Sequence, residues 1–164
     1  MSNKIILIAG PTASGKSKLA IEIAKKIKGE IINADSMQVY KEFSILSSRP
    51  SNTDLRKVKH HLYGFQPVKK YFSTGAWLKL AKKQIIQCLK NKKIPILVGG
   101  TGLYFEAITK GMSKIPSINF KARDKIRELQ KKVGQKKFHE LLLELDPLVK
   151  NKINSSDTQR SIRA

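Results

Sequence analysis

Two features near the N-terminus have the residue types and spacing for phosphate chemistry. The first is GPTASGKS, in which four residues separate Gly10 from Gly15, Lys16 and Ser17. Glycines at this spacing let the backbone N–H groups of residues 12–17 turn inward around an anion, and the N-terminus of a following helix adds positive potential at the same point. Gly10, Pro11, Thr12, Ala13, Ser14, Gly15, Lys16 and Ser17 therefore form a candidate phosphate cradle, with Lys16 reaching the outer phosphate and the Ser17 hydroxyl a Mg²⁺ ion. The plainer alternative is a glycine-rich strand-to-helix turn that binds nothing. The second feature is Asp35, at the end of the apolar run EIINA. A carboxylate at the C-terminal edge of an open α/β sheet stands where ligands bind, and it can take a proton from an acceptor nucleophile. A cap on the residues that follow is the competing role for Asp35.

Both features need a scaffold, and the surrounding pattern supplies one. Ile5 to Ile8 read as a central parallel strand covered on both faces, and the next helix carries Leu19, Ala20, Ile23, Ala24 and Ile27 on one face, closed by Gly29. EIINA is the second strand. An irregular stretch punctuated by Pro50 and Pro67 follows, with LYGF as a candidate short strand. Leu78, Ala81, Ile85, Cys88 and Leu89 mark a helix from Thr74 to Asn91 capped by Ser73 or Thr74. Ile94 to Val98 form another buried strand, and LYFEAITKG a further helix. Alternating strands and helices predict an α/β fold, a parallel sheet flanked by helices, over residues 1–113.

The texture changes beyond Gly111. After the linker-like MSKIPSINF come only helical patterns: Ile126, Leu129 and Val133 on one face, a stop at Gly134, then Phe138, Leu141, Leu142 and Leu145 before Pro147. Residues 114–164 thus read as a small helical appendage. The sequence stops in the first turns of a helix capped by Ser156 or Asp157, and its strands are few for such a fold, so the expectation is a core truncated on its C-terminal side.

Composition narrows the partners. The net charge is +21, from 33 basic and 12 acidic residues, and this excess favours a polyanion such as nucleic acid. Most of the cations are lysines in a chain also rich in Ile and Asn. The six arginines are the sharper signal: Arg49, Arg56, Arg123, Arg127, Arg160 and Arg163, the last four of them clustered toward the C-terminal end. No apolar run approaches a membrane span, so a soluble, cytoplasmic protein is expected. The single cysteine, Cys88, falls on the apolar side of its helix and reads as a small buried hydrophobe.

In order along the chain, GPTASGKS, NADSMQVY, SSRP, HHL, LVGGTGLYF, DP and DTQRSIRA resemble the tRNA dimethylallyltransferases, also called tRNA isopentenyltransferases. The resemblance implies transfer of a dimethylallyl group from dimethylallyl diphosphate to the exocyclic amine of the adenine beside the anticodon of tRNA. It makes the cradled anion a diphosphate, with Mg²⁺ as the cofactor at Ser17. Asp35 becomes the base for the adenine amine, with Thr101 beside the reacting adenine. Asp35, Ser36, Met37 and Gln38 lie against the target nucleotide. Arg123, Gln159, Arg160, Ser161, Ile162 and Arg163 become tRNA contacts, and the protein a monomer. Thr101 fits a turn or helix cap equally well. His60 and His61 do not by themselves make a metal site and read as structural. A small-molecule or nucleoside kinase that binds ATP, for which Asp35 is equally suited, and a non-catalytic RNA-binding fragment remain the competing functions.

Overall fold

The computed structural model describes residues 4–112 and 118–164. It divides into two compact units, Met1–Ser113 and Lys114–Ala164. The first is built on four parallel strands, β1 (Ile6–Ala9), β2 (Gly29–Asn33), β3 (His60–His61) and β4 (Ile94–Gly99), in the order β1-β4-β2-β3. Helices α1 (Lys16–Ile27), α2 (Asn52–Lys57), α3 (Thr74–Lys90) and α4 (Gly102–Lys110) connect or follow them.

Strand alternation sorts the core onto two faces. Ile31, Ile96 and Val98 pack with Ala20, Ile21 and Ala24 of α1. Ile32, Leu97 and Ala34 face the other way, onto Trp77, Ala81, Ile85 and Cys88 of α3 and Tyr104 of α4. Trp77 is fully buried, stacks on Tyr104 with ring centroids 4.1 Å apart, and donates its indole N–H to the Asn33 carbonyl at 2.8 Å. The periodic pattern passes over Trp77, yet this is the residue that ties α3 to the end of β2. Helix α3 begins where the sequence places it, with the Ser73 hydroxyl accepting from the Ala76 N–H at 3.2 Å.

Several local expectations give way. Within this chain β1 has one strand neighbour among the described residues, β4, and Leu7 is 42% exposed. A continuous β-branched run marks apolar character without fixing a position in the sheet. Helix α1 stops at Lys28, which takes the left-handed conformation (φ 55), and Gly29 opens β2 instead of closing the helix. LYGF is a turn: Leu62 and Gly64 have φ of 63 and 55, and the strand is the preceding His60–His61. The irregular stretch contains α2, capped by the Ser51 hydroxyl, which accepts from the Asp54 N–H.

The second unit carries α5 (Phe120–Leu145), interrupted at Gly134 (φ 77, ψ 162) where the sequence puts a stop. A 3₁₀ turn (Pro147–Val149) and α6 (Thr158–Ser161) follow, the latter capped by Asp157. Phe138 and Val149 are buried. The stripe read as core is only partly so: Ile126 and Leu129 are 39% and 40% exposed, and Leu145 is 86% exposed. Part of the linker-like segment lies outside the described residues.

Two outcomes follow from this packing. A Cβ at Gly99 would lie 2.0 Å from the Ala34 carbonyl oxygen. Gly99→Ala must therefore push β4 from β2 and lower unfolding free energy in urea by about 1–3 kcal/mol; an unchanged midpoint would contradict the close approach. Burial holds the His60 imidazole below its ordinary 6.5, against the opposing pull of the Val58 carbonyl and Asp54. The unfolded chain then takes up this proton first, so the stability present above pH 6.5 is lost as pH falls below it. His60→Gln should flatten the melting temperature between pH 7 and the acid side of that value.

Candidate functional site

The site forms where β1, β2 and β4 end. Beyond Ala9 the chain turns through Gly10–Gly15 and enters α1 at Lys16, so the loop amides and the helix N-terminus share one concave side. Two residues make the turn possible by adopting left-handed backbone: Gly15 (φ 81) and Ala13 (φ 63). For alanine that conformation carries strain, held here by its neighbours. The Lys16 ammonium folds back across the loop, donating to the Pro11 carbonyl and, at 3.3 Å, to the Ser14 hydroxyl.

Thr12, Ala13, Ser14, Gly15, Lys16, Ser17 and Lys18 line one open cavity of about 160 Å³, and Asp35, Gln38, Ser47, Ser48, Tyr63, Val98 and Gly99 complete it. This volume lies below the roughly 300 Å³ at which drug-sized ligand sites begin, so it suits a compact charged group whose remainder projects outward. Gly10 and Pro11 are not among the lining residues. Ser17 is exposed, and its hydroxyl is the kind of hard oxygen ligand that Mg²⁺ takes beside phosphate oxygens and water.

Asp35 owes its place to Asn33, whose importance sequence reasoning missed. Asn33 is fully buried, and its side-chain amide donates to the carbonyls of Asp35 and Leu62, each at 3.0 Å. Its side-chain oxygen accepts the Asp35 N–H at 2.9 Å. One side chain thus fixes the chain on both sides of Asp35 and anchors the left-handed turn at Leu62. The signal was in the sequence as an Asn two residues before the acid, a type that hydrogen-bonds backbone nearby.

Asp35 takes the capping role the sequence allowed with one carboxylate oxygen only. Its Oδ1 accepts the Met37 N–H at 2.9 Å, a local turn, while Oδ2 takes no hydrogen bond among the described residues and lies on the side of Gly100. Thr101 occupies the N-cap position of α4 without capping it. Its hydroxyl accepts the Ser36 N–H at 2.8 Å and donates to the Ser36 hydroxyl at 3.2 Å, bracing the segment after Asp35. Gln38 donates to the Ser47 carbonyl at 2.9 Å and so sets the Ser47–Ser48 wall; Met37 is half exposed. Tyr63, another lining residue the sequence did not single out, has its hydroxyl held above its ordinary value by burial and by the Asp35 charge.

In the second unit, Arg123, Gln159, Arg160 and Arg163 are exposed. Arg160 pairs with Asp157 at 3.6 Å. Ser161 and Ile162, placed in the same tRNA-facing set from sequence, are buried and half-buried. The Ser161 hydroxyl donates to the Asp157 carbonyl at 2.7 Å and accepts from Gln135 at 3.2 Å, so its side chain serves the unit's interior.

A glycine-containing loop, a helix N-terminus and a facing carboxylate share one cavity on a parallel α/β sheet, and comparison with known proteins shows which family has this chain as a member. The IPP transferase family model matches residues 38–164. The chain is 60% identical over 162 residues to the tRNA dimethylallyltransferase of Pelagibacter ubique (strain HTCC1062), covering 99% of this chain and 52% of that protein. It is 47% identical to the tRNA dimethylallyltransferase of Rickettsia bellii (strain OSU 85-389), covering 98% and 51%. Among solved structures, a eukaryotic dimethylallyltransferase acting on tRNA superposes with a TM-score of 0.83 at 29% identity, covering 99% of this chain and 40% of the other. The full-length tRNA isopentenylpyrophosphate transferase of Bacillus halodurans gives 0.67 at 31%, covering 99% and 54%. The chain belongs to the IPP transferase family, and it spans about half the length of the curated relatives it matches.

Asn33→Leu, which keeps bulk but removes the amide, should leave the Asp35 and Leu62 backbone groups without partners. The expected loss is about 1–3 kcal/mol in urea unfolding; a loss below the error of the measurement would remove Asn33 as the anchor.

Proposed function

We propose that this chain carries the reacting centre of a tRNA dimethylallyltransferase, moving a dimethylallyl group from its diphosphate to the exocyclic amine of an adenine in the tRNA anticodon loop. The observation that carries this reading is the single cavity shared by the loop Thr12–Lys18 and Asp35. An anion site and a proton acceptor that face one space suit a reaction in which a diphosphate leaves as a nitrogen attacks.

Charge and proton bookkeeping assign the residues. As the allylic C–O bond breaks, negative charge grows on the diphosphate. Amides of the 12–17 loop and Lys16, once released from Pro11 and Ser14, stabilise it. Mg²⁺ held through Ser17 would supply further charge neutralisation there. As the new C–N bond forms, the amine gives its proton to Asp35 through the free Oδ2. Thr101 and Ser36 hold the nucleotide-facing segment, and Met37 and Gln38 flank the space the base enters. The adenine must leave its stack to reach this point, and a helical unit with exposed Arg123, Gln159, Arg160 and Arg163 supplies groups that grip tRNA phosphates and unstacked bases. The net charge of +21 favours the same polyanion.

Single-turnover transfer from labelled dimethylallyl diphosphate to an anticodon stem-loop tests the reading. Asp35→Asn should lower the rate by about 10²-fold or more while diphosphate-substrate affinity stays within about threefold. Retention of ATP but not of dimethylallyl diphosphate would replace the proposal with a kinase. Salt-dependent RNA binding without transfer at any enzyme concentration would leave an RNA-binding fragment.

A further inference from the structure

Toward the N-terminal end of β2, away from Asp35, three side chains of different chemistry converge. Glu30 projects from β2 onto the α3 face of the sheet, His61 from the neighbouring β3, and Cys88 from the last turn of α3. The Glu30 Oε2 meets His61 Nε2 at 2.6 Å and Cys88 Sγ at 3.5 Å, and all three donor atoms lie within 4.8 Å of one another. Glu30 is 7% exposed and Cys88 1%. None of the three lines the cavity containing Asp35.

We propose that Glu30, His61 and Cys88 form a three-ligand site for a borderline-soft divalent cation of the zinc class. A carboxylate oxygen, an imidazole nitrogen and a thiolate sulfur together are a donor set that selects such ions over Mg²⁺ or Ca²⁺. Geometry agrees. Bonds of about 2.0–2.3 Å in a tetrahedral shell place donors about 3.2–3.8 Å apart. The Sγ to Oε2 separation already fits, the Nε2 to Oε2 pair must open as its hydrogen bond is exchanged for two bonds to the ion, and the Nε2 to Sγ pair, within 4.8 Å, closes onto the same ion.

Charge fits as well. Glu30 and a Cys88 thiolate would balance a dication, so the buried site would be neutral when filled. Binding releases the thiol proton to solvent, and His61 ligates through Nε2 as the tautomer whose proton sits on Nδ1. The only other charged group near the carboxylate among the described residues is Lys59, whose ammonium lies 3.8 Å from Oε2 on a side chain that is 61% exposed. It can swing into water as the cation enters. Three protein ligands leave a fourth position for water, and the site would clamp edge strand β3 to β2 and α3.

The chain has a single cysteine, which makes the test specific. Chelator-treated, reduced protein is titrated with Co²⁺ and with Zn²⁺. Expected is a thiolate-to-cobalt charge-transfer band that saturates at one equivalent, disappears in Cys88→Ser, falls in His61→Gln and Glu30→Gln, and persists in His60→Gln. Zn²⁺ should raise the melting temperature of the unsubstituted chain. X-ray absorption of that Zn²⁺-loaded chain, which depends on no variant folding, should show one sulfur in the first shell. A shell of nitrogen and oxygen only, absence of a saturable band, or a band surviving His61→Gln and Glu30→Gln at full strength would overturn the site.

Discussion

The Asp35 side of the cavity depends on how β2 ends. Asn33 is the last strand residue, and its buried amide converts the end of a hydrogen-bonded ladder into a fixed exit: one side chain satisfies the backbone before and after Asp35 and a carbonyl of the turn following β3. An amide buried this deeply is costly unless its bonds are made, so the arrangement is close to all-or-none. The indole of Trp77 completes the junction from the other side by donating to the Asn33 carbonyl.

The same junction explains why the next strand carries paired glycines. β4 runs beside β2, and at Gly99 the two backbones come too close for any side chain. Close approach there brings Thr101 within reach of Ser36 and puts Gly100 beside the Asp35 carboxylate. Backbone proximity, hydroxyl bracing and carboxylate placement are thus consequences of one packing constraint. The loop Thr12–Lys18 is positioned separately, by β1 pairing with β4 in register from Ile6 to Ala9, so loop and acid share a cavity because both strands share β4.

The two units divide their work by composition. The first packs its buried apolar residues in two clusters around the sheet. The second has a thinner core, with polar ties such as Gln135 to the Ser155 carbonyl and to Ser161 holding the segment that presents Gln159, Arg160 and Arg163. Arginine there offers a planar, always-charged group, and burial of Ser161 beneath it limits how the segment can turn.

What sequence alone determined was local and periodic. The loop spacing, the alternating α/β order, the Ser73 cap and the stop at Gly134 are each set by nearby residues, whose backbone preferences act over a few positions. Asp35 was legible as an acid at a strand end, and the family followed from ordered motifs. Tertiary structure decided the rest, because it turns on residues far apart in the chain. Trp77, Asn33, Tyr63 and the Ser47–Ser48 wall became important only when β2, α3 and the turn after β3 met. Ser161 turned inward because Gln135, 26 positions away, supplies its partner. Cys88, legible only as a buried hydrophobe, acquired chemistry because folding set it against Glu30 and His61: a donor's neighbours are fixed by packing, which no short-range pattern encodes.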